Sequence, residues 1–239
     1  MNFSSMTPGE WQAIWLTAKL AGLTTLILLL LSAPLAWWLA HSRSRWVSGV
    51  AALVALPLVL PPTVIGFYLL IVLGPQGAVG ATLEQMGLQH LAFSFWGILV
   101  GSVIYSLPFA VQPLRDAFAA IDSRLLDAAA TLRASALDRF FSVVLPLSRS
   151  GILTAVVITF AHTVGEFGVI AMLGGSIPGE TRVVSIAIYD HTQALEYGAA
   201  HRLSAALLGF SFVTLLLFYA INQRVMGPLK PARPRSTSP

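Results

Sequence analysis

Long apolar runs alternate with shorter polar joints along most of this chain. A bilayer takes about 20 residues of helix, and five runs exceed that length: 11–40, 46–73, 93–120, 148–173 and 203–225. The pattern predicts an all-α integral membrane protein with about five transmembrane helices, a membrane domain over 1–225 and a Pro-, Arg- and Ser-rich tail, 226–239, unable to fold alone. Trp11 and Trp15 at one end of the first run, with Trp37 and Trp38 at the other, read as interfacial anchors. The second run carries Pro57, Pro61 and Pro62 near its centre. Three prolines remove three backbone donors where no water replaces them. This helix is therefore predicted to break, with its freed carbonyls and the Thr63 hydroxyl facing protein or a water-filled path. A structural kink packed against neighbouring helices is the alternative. The joint over 74–91 reads as a Gly-rich loop, and the one over 174–202 as a long loop before the last span.

One joint differs in kind. Between 122 and 147 the residues Arg124, Asp127, Arg133, Asp138 and Arg139 are interleaved with Leu, Ala and Phe. Asp122 is a good N-cap. Leu125, Ala128, Ala129 and Leu132 follow at the spacing of one helix face, and Ser135 with Asp138 has the form of a capping box that starts a second helix. Pro146 marks a boundary before the next span. The segment is thus a helix-turn-helix outside the membrane, and its apolar stripe is too narrow to fold without a surface to sit on. Lipid headgroups or another protein would provide one.

Composition supports the membrane assignment. Of 239 residues 56% are hydrophobic and 10% charged, against about 25% charged in soluble domains. No cysteine is present, so thiolate metal sites and disulfides are excluded. The net charge of +4 acquires meaning only from its placement. The joints after spans one, three and five carry Arg43, Arg45, Arg115, Arg124, Arg133, Arg139, Arg149, Arg224, Lys230, Arg233 and Arg235, whereas the others carry only Arg182 and Arg202. The positive-inside rule then predicts an outer N-terminus, a cytoplasmic C-terminus and a cytoplasmic 122–147 segment. No nucleic-acid partner is implied; the basic residues belong to the membrane boundary. The first ten residues hold no Lys or Arg and lack the basic start of a secretory signal, so they are read as part of the mature protein.

Few residues in the spans have side chains capable of chemistry. There is no Gly-x-x-x-x-Gly-Lys-Ser/Thr phosphate loop, so this chain cannot hold ATP by that route. Lys19 in span one and His162 and Glu166 in span four each cost about 2.5 to 3.5 kcal/mol at a helix centre, and each should face the bundle interior and find a partner. On a continuous helix His162 and Glu166 share a face. A neutralising set of Lys19, His162 and Glu166 that braces the outer half of the bundle is expected, with a gate or a proton relay as the alternatives. Two ligands make no zinc site, and the His-Glu-x-x-His pattern is absent.

The segment around Asp127 resembles the coupling motif of ABC importer permeases. That motif places an acid before two Ala and ends in Ile-x-Leu-Pro, and here Asp127, Ala128 and Ala129 are followed in register by Val143, Val144, Leu145 and Pro146. Arg133 stands at the motif's Gly, where φ > 0 is favoured, so the turn is expected either to form less readily or to be replaced. The runs Leu56 to Pro62, Gly165 to Gly168 and Ile177 to Arg182 are similar to those of molybdate importer permeases, over nearly the whole chain from Glu10 to about Gln223. His162 departs from that pattern, which often has a basic residue there.

The resemblance implies the type I permease fold and a multi-pass protein of the bacterial inner membrane. It implies a homodimer with the pathway at its interface, bathed in membrane lipid. The implied partners are two ATP-binding cassette subunits, which hold ATP and Mg, and an extracytoplasmic molybdate-binding protein; no cofactor is implied for this chain, and no catalysis. Asp127, Ala128, Ala129, Arg133, Leu145 and Pro146 are the implied ATPase contact. A sulfate or thiosulfate permease, a proton-coupled secondary transporter and an intramembrane enzyme are the competing readings. The transporter reading would require repeated broken helices, and the enzyme reading a nucleophile and base; neither is evident in the sequence.

Overall fold

The computed structural model describes residues 6–226, with side chains to 222, and the regular secondary structure among the described residues is helical. The predicted tail therefore lies outside the described residues except for Met226, which ends the last helix. In chain order the helices are α1 Pro8–His41, α2 Val47–Ala55, α3 Pro62–Leu73, α4 Ala78–Gln85, α5 Phe95–Ala119, α6 Ser123–Thr131, α7 Ala136–Arg139, α8 Leu145–Leu147, α9 Arg149–Val164, α10 Gly168–Gly174, α11 Val184–Gln193 and α12 Tyr197–Met226. Four stretches are long and apolar enough to cross a membrane: Pro8–His41, Pro62–Gln85, Phe95–Ala119 and Tyr197–Asn222. A fifth is formed if Ala136–Leu147 and Arg149–Val164, bent by 71°, count as one span.

Three sequence expectations change. The fourth run is not one helix, because α9 ends at Val164 and the chain restarts as α10 after Gly165, Glu166 and Phe167. The joint over 74–91 contains α4, which begins after Gly77 and leads from α3 with a break of a few residues. The loop before the last span contains α11.

The centre of the bundle is α5, which packs against α1, α9, α10 and α3. Between lipid and protein there is no large change in polarity, so close packing and polar contacts hold helices together inside a bilayer. One core group joins the C-terminal parts of α1 and α5 to the first half of α9 through Ala36, Leu39, Leu114, Phe118 and Ala155. A second joins the N-terminal parts of α1 and α5 to α10 and α11 through Leu20, Ile98, Leu99, Ile170 and Ile186. Polar ties fix α1 to its neighbours at the same end. The Thr17 hydroxyl donates to the Ala13 carbonyl and accepts from the Val184 amide at 2.8 Å. Arg202 of α12 lies 3.0 Å from the carboxylate of buried Glu10. Glu10 also closes a capping box with Thr7 at the start of α1.

Candidate functional site

Two regions combine unusual backbone with function-bearing side chains. The first lies outside the bundle. Asp122 caps α6 by accepting from the Arg124 amide at 2.9 Å. At its other end Arg133 adopts φ 61°, the left-handed conformation usually given to Gly. The Arg133 amide donates to the Ala130 carbonyl and the Ala134 amide to the Ala129 carbonyl, the paired bonds of a Schellman cap. The missing Gly has therefore not replaced the turn; Arg makes the same turn under strain.

Ser135 and Asp138 then cap each other at 3.1 Å across the start of α7. The Ser135 hydroxyl and amide hold the Asp138 carboxyl below its ordinary pKa. A π-helical turn over Phe140–Val144 and α8 follow, and the 71° bend at Ser148 hands the chain to α9. Asp127, Ala128, Arg133 and Pro146 are exposed and Ala129 is half-buried, so neither α6 nor α7 has a buried residue. Leu132, 83% exposed, and Leu137, 70% exposed, leave the apolar stripe uncovered.

The second region is where two broken helices meet. In the first, α2 tightens into a 3-10 turn over Leu56–Leu58, Pro61 is extended ahead of Pro62, and Pro62 opens α3 at a position where a missing amide is harmless. Pro57 is buried, whereas Val59, Pro61 and Thr63 face outward, Val59 at 82% exposure. The second is the interruption between α9 and α10. A side chain on Gly168 would come within 2.6 Å of the Pro62 Cβ, and one on Gly66 within 2.7 Å of the Met172 Cβ. The start of α10 therefore rests directly on the start of α3, an approach open only to Gly.

The polar residues do not form the expected set. His162 lies against α5, its Nδ1 3.0 Å from the Ser106 hydroxyl and its ring stacked 3.9 Å from Phe109. Glu166, beyond the end of α9, turns elsewhere because the helix that would have put both on one face stops at Gly165. Glu166 is 4% exposed, and neither carboxyl oxygen has a hydrogen-bond partner among the described residues. The Ser102 hydroxyl lies beside it without reaching hydrogen-bond geometry. The Glu166 backbone is better held: its carbonyl accepts from the Ser185 hydroxyl at 2.6 Å.

Lys19 is exposed, its ammonium 4.2 Å over the Phe95 ring, and it contacts neither His162 nor Glu166. The reason is direction. Thr17 and Ala18 line one cavity with Val164, so α1 passes the end of α9 at this level, but Lys19 lies on the exposed face of α1. Sequence reasoning missed Ser102. Its signal was the Ser102 and Ser106 pair, one turn apart on a helix that is otherwise apolar at its centre.

The fold and the site define a multi-span membrane protein with two interrupted helices and an exposed helix pair between spans. The model of the binding-protein-dependent transport system inner membrane component family matches residues 32–227, and the chain belongs to that family. It is 54% identical over 208 residues to the molybdenum transport system permease protein ModB of Azotobacter vinelandii, covering 87% of this chain and 92% of the relative. The protein of the same name from Escherichia coli K12 is 35% identical over 214 residues, covering 89% and 93%. Among solved structures, a bacterial alginate ABC transporter in complex with an alginate-pentasaccharide-bound periplasmic protein aligns with a TM-score of 0.74 at 21% identity, over 92% of this chain and 80% of that one. That likeness shows the fold, the type I importer permease. The chain is a multi-pass membrane transport subunit.

Proposed function

We propose that this chain is the permease of an ATP-driven importer for molybdate, and for tungstate as an oxyanion of the same shape. The observation that carries the substrate is the 54% identity, across 87% of the chain, to a permease of a molybdenum transport system. The chain works as a homodimer with two ATP-binding cassette subunits, which hold ATP and Mg, and with a binding protein outside that delivers the anion. Its own part is conformational, without catalysis. The N-terminus is outside and the 122–147 segment is cytoplasmic.

In this reading the exposed stripe of α6 and α7 sits in a cleft of the ATPase, with Asp127, Ala128, Ala129, Arg133, Leu145 and Pro146 at the contact. The geometry of α9 supports a route for coupling. Its inner end joins that segment through the Ser148 bend, and its outer end is the interruption that rests on Pro62 by way of α10. A helix of this length is a strut of about 24 Å. Movement of the ATPase pair at one end of α9 shifts α10 against α3 at the other, and so opens or closes a pathway lined by Pro61, Thr63 and Val59 at the dimer interface. Glu166 is turned inward, so an oxyanion passing the exposed face of α3 does not meet its charge. His162 packs the bundle through Ser106.

The test is uptake of labelled molybdate by cells that lack their own molybdate system and express this permease with its ATPase and binding protein. Saturable uptake resisted by tungstate but not by excess sulfate is expected. Equal competition by sulfate or thiosulfate would make it a permease for those anions, and uptake driven by a proton gradient without the ATPase would make it a secondary transporter.

A further inference from the structure

We propose that the cleft between the inner half of α1 and the α7 segment is a binding site for one anionic phospholipid of the inner leaflet. The cleft has a volume of about 500 Å³, within the range of pockets that enclose organic ligands. Ala33, Pro34 and Trp37 line it from α1, Leu126 and Ala136 from α6 and α7, and Arg139, Phe140 and Val144 from the turn that follows.

Irregular backbone lines both walls. Pro34 inside α1 lacks the amide that would bond to the Leu30 carbonyl, and Phe140–Val144 opposite it is a π-helical turn. The depth suits a lipid, because Ala33 and Pro34 fall in the last turns of the apolar run that ends at Leu39, while Trp37 stands at the interface.

The headgroup chemistry comes from Arg139. Its Nε is buried without a hydrogen-bond partner, and no carboxylate among the described residues lies within ion-pair distance of its guanidinium. Asp138, its neighbour, is occupied by Ser135. A guanidinium with no ion-pair partner and an unsatisfied Nε, in an apolar cleft beside an interfacial Trp, fits a phosphate diester with an acyl chain alongside; basic pockets between helices on the cytoplasmic side recognise anionic lipid in this way. A bound lipid would wedge α1 against the segment proposed to dock the ATPase. The inner-leaflet assignment rests on the orientation proposed above; the site itself does not.

The experiment uses full-length permease, delipidated in mild detergent and titrated with phosphatidylglycerol and, in parallel, phosphatidylcholine, with bound lipid counted by native mass spectrometry. Phosphatidylglycerol should saturate first at one per protomer. Arg139→Gln should weaken it about five-fold, the scale of one interfacial cation, and leave phosphatidylcholine unchanged, with Arg139→Lys recovering part of the loss. Ala33→Trp, which fills the cleft, should weaken both lipids alike. No preference for phosphatidylglycerol, or no effect of Arg139→Gln at full membrane abundance, would overturn the site. Displacement of phosphatidylglycerol by inorganic phosphate would reduce it to an anion site without an acyl chain. Cross-linking of Ala33→Cys to a second copy would assign the cleft to the dimer. None of these results depends on molybdate or ATP, so failure here leaves the transport reading standing.

Discussion

The exposed segment from Asp122 to Leu147 and the buried crossing of α3 and α10 are built by opposite means. The first is shaped by hydrogen bonds between residues two to five apart, the Asp122 cap, the paired bonds around Arg133 and the Ser135–Asp138 box, and is tied to the bundle through Leu126, Phe140 and Val144. It buries no residue of α6 or α7. The second also has local turn bonds, but its position is fixed by the fit of Gly168 on Pro62 and of Gly66 on Met172. A shape secured locally persists while its apolar face waits for a partner. A shape secured by contact exists only when two distant parts of the chain meet, and it transmits any shift of one to the other.

The sharpest way to break this contrast is to add bulk at the crossing. Gly168→Leu should displace α10 from α3, costing about 1 to 3 kcal/mol from overpacking and lowering both membrane abundance and the midpoint of thermal unfolding; Gly66→Leu should do the same. A tolerated Leu at either position would mean that the helices do not touch there.

Smaller effects are expected from the local devices. Arg133→Gly relieves the positive-φ conformation and should stabilise the end of α6 by about 1 kcal/mol. Ser135→Ala removes an N-cap and should loosen α7 by about 1 kcal/mol. Amide hydrogen exchange across 123–139 reports both, with no change expected at α10. Acid should act on the same box. Asp138 has a lowered folded pKa, so its contribution is complete above the unfolded carboxylate value and is lost as pH falls through the folded one. Exchange in α7 should therefore be flat near neutrality and rise in acid.

The smallest effect concerns Lys19 and Glu166. Because Lys19 lies over Phe95 on the exposed face of α1 and Glu166 is enclosed near Ser102, the two do not pair. Lys19→Ala and Glu166→Gln should add independently, within about 0.5 kcal/mol. A double variant that recovers stability lost in Lys19→Ala would restore the pairing that the sequence suggested.

These regions also differ in how far the sequence disclosed them. Asp122, Ser135 and Asp138 were legible because a cap is a relation among neighbours in the chain. The break at Pro57, Pro61 and Pro62 was legible because three prolines fall within six residues, whereas single prolines at 34, 108 and 113 leave α1 and α5 continuous. The interruption at Gly165 to Phe167 was not, because hydropathy continues through it and only contact with α3 makes the restart at Gly168 favourable. That one omission produced the mistaken pairing of His162 with Glu166, which assumed a continuous helix. Lys19 was not legible for a different reason: the hydropathy of span one does not say which face of α1 turns out of the bundle, and Lys19 is on the exposed one. The short helix α4 was hidden by Gly77 and Gly80, which read as loop residues and serve instead to let the chain pack on the end of α3.

The most direct test of the account is ATP-driven molybdate uptake by proteoliposomes holding the permease with its ATPase and binding protein, compared between wild type and Ala129→Arg. A bulky cation at Ala129 overfills the proposed ATPase contact while lying outside the bundle. Uptake and recovery of the ATPase with the permease should both be lost while permease abundance and thermal midpoint are unchanged. Undiminished ATP-driven uptake by Ala129→Arg, with the ATPase still bound, would contradict the proposed contact.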